Sequence, residues 1–167
     1  MREAVKNKKF QILGALSLAG FEEAGTQLGS PLELAVEADD AALVEQILGG
    51  DKVQVEFGCK RVDADQLGKN VFHVIAERKS HRCFDAIVAK SGTKIPETKI
   101  KRYLNQGIGN KGWLSPLFFI PGDISLAKKF LKHGAKGEAL RLPEVYDKYK
   151  RQVDYLDFAI AQFHMNM

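Results

Sequence analysis

Two histidines and a cysteine lie close together in the sequence and are the residues best suited to chemistry: His73, His81 and Cys83. Imidazole and thiolate groups are the ligands that Zn²⁺ prefers, and a cysteine beside a histidine can serve as a nucleophile. A zinc site would need tightly spaced pairs of such ligands, which this stretch lacks. Cys83 also falls on the apolar stripe of a predicted helix, where free cysteine usually packs as a small hydrophobe. We therefore expect structural roles for all three residues.

A glycine-rich run, GIGNKG at residues 107–112, superficially resembles a phosphate-binding loop. Such a loop needs a strand before it and a long helix immediately after it, and neither is predicted here. The sequences GxxxxGKS, GxxxxGKT and GxSxG, which mark nucleotide-binding loops and a hydrolase nucleophile, do not occur. The chain is therefore predicted to have no catalytic residue, no metal site and no cofactor.

The composition is that of a folded protein of modest size. The chain has 167 residues, 45% of them apolar, and its mean hydropathy is −0.21. These values allow one domain, or one short array of repeats, with a sizeable core, and they argue against disorder. Two cysteines, Cys59 and Cys83, are too few for a disulfide framework and suit a reducing compartment. A cytoplasmic location is therefore predicted.

The longest uncharged run extends from Phe10 to Phe21. It is far too short to cross a bilayer, so no membrane span is predicted. Basic residues precede the run and small residues lie inside it, as in a signal peptide. Gln11, Gly14 and Ser17 dilute its apolar character, however, and we favour a helix that caps the N-terminal end of the fold.

Charge is distributed unevenly along the chain, whose formal net charge is +4. Residues 22–51 include eight acids and no Lys or Arg, whereas residues 90–151 include fourteen Lys or Arg and five acids. The basic half could meet nucleic acid, an anionic membrane or an acidic protein. Aromatic residues do not interleave with the lysines as base-stacking platforms would, so we favour a solvated face and do not expect nucleic acid. Four lysines would partly share one helix face: Lys128, Lys129, Lys132 and Lys136.

The spacing of apolar residues predicts helices, several of them in pairs. The segment 53–57 instead alternates with a period of two, and a second short run follows at 60–62, which is typical of an extended finger or a short hairpin. The segment 93–110 interrupts the rhythm of pairs and is predicted to contain an inserted helix, with Ile100, Tyr103 and Leu104 facing inward. The predicted helices lie at about 3–19, 30–38, 40–48, 71–76, 83–88, 96–104, 115–120, 124–132 and 144–163. The last of them is expected to cap the fold through its apolar residues, which are Val145, Tyr149, Val153, Leu156, Phe158, Ile160 and Phe163.

One seven-residue phrase occurs three times, as SPLELAV, NVFHVIA and SPLFFIP. Each copy begins with a residue that favours the N-cap of a helix, namely Ser30, Asn70 and Ser115. After each copy, a second predicted helix follows, which ends in two apolar residues, and a glycine then closes the helix pair. Such self-similarity is the signature of stacked repeats, because one helix pair cannot bury its apolar face alone.

The phrase resembles that of the ankyrin repeat, Thr-Pro-Leu-His-x-Ala, which is followed by a second helix, Gly-Ala and an extended finger. SPLELA from Ser30 and SPLF from Ser115 match its opening, and His73 matches its histidine. DQLG at 65–68 matches the turn ahead of a unit, and HGA at 133–135 matches its close. The copies recur at 40 and then 45 residues instead of about 33, and none carries the whole phrase.

The resemblance implies an all-α, ankyrin-like helical repeat solenoid with short extended fingers, an inserted helix and helical caps. In that family the phrase histidine makes structural hydrogen bonds between neighbouring units, which is the role implied for His73. The chain would form a single repeat domain. Its parts would be a cap at 1–24, units at about 25–52, 65–92 and 111–136, an insertion at 93–110 and a C-terminal helix at about 144–163.

Partners of ankyrin proteins usually bind the finger tips and the inner helix surface. Carried over by position, the resemblance implies partner-binding residues at the tips and at the ends of the first helices. Trp113, the only tryptophan, would be a hot spot if exposed and a core residue if it packs under the insertion. The implied residues are Glu37, Gln66, Leu67, Lys69, Glu77, Arg78, Lys111 and Trp113.

The expected function is therefore non-catalytic binding of another protein. Diverged units of this kind are similar to those of ankyrin proteins that intracellular bacteria or viruses deliver into host cells. By that analogy the chain would be an effector, or a fragment of one, in the host cytoplasm. The alternative is a helical domain whose basic C-terminal half binds nucleic acid or an anionic surface.

Overall fold

The computed structural model describes residues 30–49, 57–59, 69–108, 114–120, 122–137 and 143–165. Helices make up most of this part of the chain, and its β-type contacts are isolated backbone bridges. The prediction of an all-α protein agrees with the described residues. The helices are α1 (Pro31–Glu37), α2 (Ala41–Gly49), α3 (Val71–Arg78), α4 (His81–Val88), α5 (Glu97–Asn105), a 3₁₀ helix (Pro116–Phe119), α6 (Ile124–Lys132) and α7 (Pro143–His164).

Two of the three predicted N-caps are built as the sequence indicates. Ser30 Oγ accepts a hydrogen bond from the Glu33 amide at 3.1 Å, and a Glu33 carboxylate oxygen accepts one from the Ser30 amide at 3.2 Å. Asn70 Oδ1 accepts from the Phe72 amide at 2.9 Å. These reciprocal bonds satisfy amides that a helix N-terminus leaves without partners. Ser115 precedes the 3₁₀ helix and makes no side-chain capping bond.

The helices form three pairs, and a residue with a positive φ lies between the two helices of each pair. Pair 1 is α1 with α2, pair 2 is α3 with α4, and pair 3 is the 3₁₀ helix with α6. The turns place Asp39, Lys79 and Gly122 in the left-handed region, with φ of 54°, 56° and 76°. Asp40 and Asp123 then cap the second helix by accepting from the amides three residues later, each at 3.0 Å. The recurrence of this left-handed residue is a second sign of repetition that the sequence phrase alone did not carry.

Replacing Lys79 with glycine is expected to stabilise the fold by about 0.5–1 kcal/mol. A left-handed backbone costs a side-chain-bearing residue about 1–2 kcal/mol, and the greater freedom of glycine in the unfolded chain offsets part of that gain. Urea unfolding followed by circular dichroism measures the difference. Lys79→Ala is the matched control, because it removes the same side chain and keeps the strain. Equal stabilities for the two variants would contradict the assignment of strain to this turn.

The pairs pack side by side in chain order. Helix α1 packs against α3, which packs against the 3₁₀ helix, and α2 packs against α4. Helix α4 meets α6 through the stacked rings of Phe84 and Phe130, whose centroids are 4.6 Å apart. Phe72 lies at the centre, with its ring centroid 5.2 Å from Phe57, 6.2 Å from Phe84 and 6.3 Å from Phe130. One apolar core therefore runs through all three pairs.

The inserted helix is present and crosses the ends of the pairs. Ile100 and Leu104 of α5 are buried, as predicted, and Tyr103 is half-buried against the core. Ahead of α5, the Lys94 ammonium donates to the Gly49 carbonyl of pair 1 at 2.6 Å. After the end of pair 3, the Gly134 carbonyl accepts from the Asn105 side-chain amide at 2.8 Å. The insertion therefore connects pair 1 to pair 3.

A short antiparallel contact marks the base of the predicted finger. Gly58 is bridged to Asn70, the Cys59 amide donates to the Lys69 carbonyl at 3.0 Å, and the Val71 amide donates to the Phe57 carbonyl at 2.8 Å. The rest of the finger and the cap predicted at residues 1–24 lie outside the described residues. The predicted boundaries of the units therefore stay predictions.

The C-terminal helix α7 packs on α6 and on the 3₁₀ helix. Its buried residues Val153, Leu156 and Ala159 recur at a spacing of three, which defines its inward stripe. Phe158, which we expected among the packing residues, lies off this stripe and is 53% exposed. None of the described helices combines the length and the apolar character needed to cross a membrane.

Candidate functional site

His73 is fixed by hydrogen bonds at both of its ring nitrogens. Nδ1 accepts from the Asn70 amide at 3.2 Å, so Nε2 carries the proton and donates to the Leu114 carbonyl at 3.0 Å. Burial lowers the pKa of His73 to about 4, although the bond to the Leu114 carbonyl acts in the opposite direction. The neutral ring therefore links pair 2 to the residue just ahead of pair 3 and has no nitrogen left for a metal or a substrate.

The other two chemical candidates have separate partners. Burial, together with the nearby Asp39 carboxylate, raises the pKa of Cys83 to about 12, and its sulfur lies 3.6 Å from Asp39 Oδ1. A thiol held protonated in this way is not an activated nucleophile. His81 Nε2 lies 2.6 Å from Asp123 Oδ2. His73, His81 and Cys83 therefore serve three different contacts, and no metal-binding cluster of His, Cys, Asp and Glu occurs among the residues that the structure describes.

Most of these contacts join neighbouring pairs. Cys83 with Asp39 connects pair 2 to pair 1, and His81 with Asp123 connects pair 2 to pair 3. Burial alone would raise the pKa of Asp123, but the Leu126 amide and the His81 ring lower it overall. The charged form of Asp123 is thus favoured where it caps α6 and contacts His81 of pair 2.

A polar cluster lies where the finger meets the first helices. We call it the finger-base cluster, and it consists of Glu33, Glu37, Cys59, Lys69 and Glu77. The pKa of Cys59 is raised by burial and then by the Glu33 carboxylate, which also accepts a hydrogen bond from the thiol. Lys69 acts in the opposite direction on this pKa, and Glu37 adds to the rise. The Lys69 ammonium also lies 2.9 Å from Glu77 Oε2. Acids from α1 and α3 therefore lie at the base of the finger, the former beside Cys59 and the latter beside Lys69.

The structure brings together three of the predicted partner-binding residues. Glu37, Lys69 and Glu77 belong to the finger-base cluster, and the exposed Arg78 directly follows Glu77 at the end of α3. The other four predicted residues lie outside the described part of the chain: Gln66, Leu67, Lys111 and Trp113.

Two members of the cluster were not predicted as site residues. Glu33 is only 2% exposed, yet the sequence carries a signal for it, because Ser30 and Glu33 have the spacing of a capping box. Cys59 had no such signal, because its approach to Glu33 depends on how the finger returns to the first helices.

Comparisons with known proteins do not assign the chain to a family. No protein-family model matches it, and neither a curated protein nor a solved structure matches it significantly.

Proposed function

We propose that this chain is a non-catalytic protein-binding module of the ankyrin-repeat type. One observation carries the proposal, namely the packing of three successive first helices in chain order with His73 bonded across to Leu114. That bond has the structural role which the ankyrin resemblance implies for the phrase histidine. Stacked pairs of this kind offer an extended flank for a partner, because each pair contributes equivalent positions to one surface.

The chemistry of the described residues favours binding over catalysis. The pKa of each thiol is raised, chiefly by burial, and the ring of His73 is neutral and doubly bonded. By contrast, Glu77 and Arg78 are exposed at the end of α3, beside the finger base. Exposed charges of both signs suit recognition of another protein, because complementary charges guide the encounter of two proteins and make their association specific.

Arg78→Glu is expected to weaken capture of the partner at least tenfold, because it reverses a charge at the predicted surface. The measurement is affinity capture from cell lysates, with captured proteins quantified by mass spectrometry. Arg82→Glu is the matched control. It makes the same charge change at an exposed residue of the same pair, but on the second helix α4.

A partner that is retained by Arg82→Glu and lost by Arg78→Glu would support the proposal. Equal retention or equal loss in the two variants would contradict it. Trp113→Ala is a second test, of a tip residue that the ankyrin resemblance implies for partner binding, because a large aromatic residue is the usual centre of a protein interface.

A further inference from the structure

Helix α5 and the turn after α6 form one continuous surface. Asn105 at the end of α5 donates to the Gly134 carbonyl and accepts from the Lys136 amide, both at 2.8 Å. The methylene groups of Lys101 lie close to Gly134, so that a Cβ at position 134 would be 3.0 Å from them. These contacts hold the last turn of α5 beside the end of pair 3.

This surface is strongly basic. We call it the α5 surface and define it by the exposed residues Lys101, Arg102, Lys132 and Lys136. In the described part of the chain, no carboxylate lies within 4.0 Å of Lys132 or Lys136, and the nearest to Lys101 is Glu97 at 3.9 Å. Lys129 differs, because its ammonium lies 2.6 Å from Asp85 Oδ2. The four lysines that were predicted to share one helix face are thus divided. Lys129 is paired with Asp85, whereas Lys132 and Lys136 belong to the α5 surface.

The geometry favours carboxylates over a nucleic acid. The Arg102 guanidinium lies 4.7 Å from the centre of the Tyr103 ring, and the Phe57 ring packs against the same ring with centroids 5.3 Å apart. The Tyr103 ring is therefore engaged within the protein and is poorly placed to stack on a base. Four cations with an interspersed acid, Glu97, make a short site, whereas a nucleic-acid backbone is bound along many phosphates. Backbone and side-chain bonds also fix the surface in place, which lowers the entropic cost of binding an extended peptide.

We propose that the α5 surface binds an acidic, Glu- or Asp-rich segment of a partner protein. The proposal rests on the proposed protein-binding function. It adds a second binding surface to that function, because the α5 surface does not share residues with the finger-base cluster. It names the chemistry of the segment that this basic surface would bind.

A labelled ten-residue oligoglutamate peptide tests this directly by fluorescence anisotropy. Lys101→Gln/Lys136→Gln is expected to weaken its binding about tenfold, because two charged contacts are removed from one surface. Lys79→Gln/Arg82→Gln is the matched control, with the same charge change at exposed residues away from α5, and a change below about twofold is expected. Lys132→Gln/Lys136→Gln, which leaves the packing of Lys101 on Gly134 intact, should match the first variant.

Several outcomes would overturn the proposal. One is equal weakening of peptide binding by the α5 variants and by the control. A second is no binding of the peptide. A third is that a ten-residue single-stranded DNA binds more tightly than the peptide and that the α5 variants abolish this DNA binding. The two proposals can also be separated by capture from lysates. A partner lost by Arg78→Glu but kept by Lys101→Gln/Lys136→Gln would refute the α5 surface and leave the proposed function standing. Peptide binding through α5 without any partner that depends on Arg78 would support the α5 surface and refute the finger-base site.

Discussion

Replacing Phe72 with alanine is expected to lower the free energy of unfolding by about 4 kcal/mol, the largest effect of any single substitution considered. The Phe72 ring is fully buried and lies within 6.3 Å of three other phenylalanine rings. These come from the finger base, from pair 2 and from pair 3. Truncation would remove apolar contacts and leave a cavity where the layers meet. Urea unfolding followed by circular dichroism measures the loss.

The position of Phe72 also predicts how the urea unfolding transition changes in this variant. If the pairs share one core, the whole transition should shift to lower urea without dividing into separate steps. Phe158→Ala is the matched control, because this phenylalanine is 53% exposed and should change stability by less than about 0.5 kcal/mol. Comparable losses in the two variants would contradict the position of the core.

Acidification is expected to remove about 3 kcal/mol of stability through His73 alone. Burial lowers the pKa of His73 in the folded protein to about 4, below the ordinary value of 6.5. Between these two values the unfolded chain binds more protons than the folded chain, so stability falls as the pH falls from 6.5 towards 4. Above 6.5 this contribution is fully present. Each pKa unit of difference corresponds to about 1.4 kcal/mol.

A comparison of wild type with His73→Gln isolates this contribution. The glutamine side chain is polar but does not titrate, so the variant should lose less stability than the wild type on acidification through this range. Urea unfolding at several pH values gives, for each protein, the slope of the free energy of unfolding against pH. The pKa of His133 is also lowered, by burial and by Lys132, and it contributes equally to both proteins. Parallel slopes for wild type and variant would contradict a buried, neutral His73.

The interactions that bring pairs together were less predictable than the pairs themselves. The sequence located α5, but its bonds to Gly49 and Gly134 join residues far apart in the chain. The buried face of α7 was only partly predicted, because Phe158 is apolar yet lies off the stripe that packs. Apolar content indicates that a helix has an inner face, and only its neighbours determine which side that face is.

Local sequence by itself determined the helices, their capping residues at Ser30 and Asn70, and the three repeated phrases. These features depend on hydrogen bonds and periodicity within a few residues, which a sequence displays directly. Only the tertiary structure decided that Cys59 meets Glu33, that His73 meets Leu114 and that the lysines of α6 are divided between an ion pair and the α5 surface. Such contacts arise when distant segments pack together to bury a shared apolar core, and no local pattern encodes their geometry.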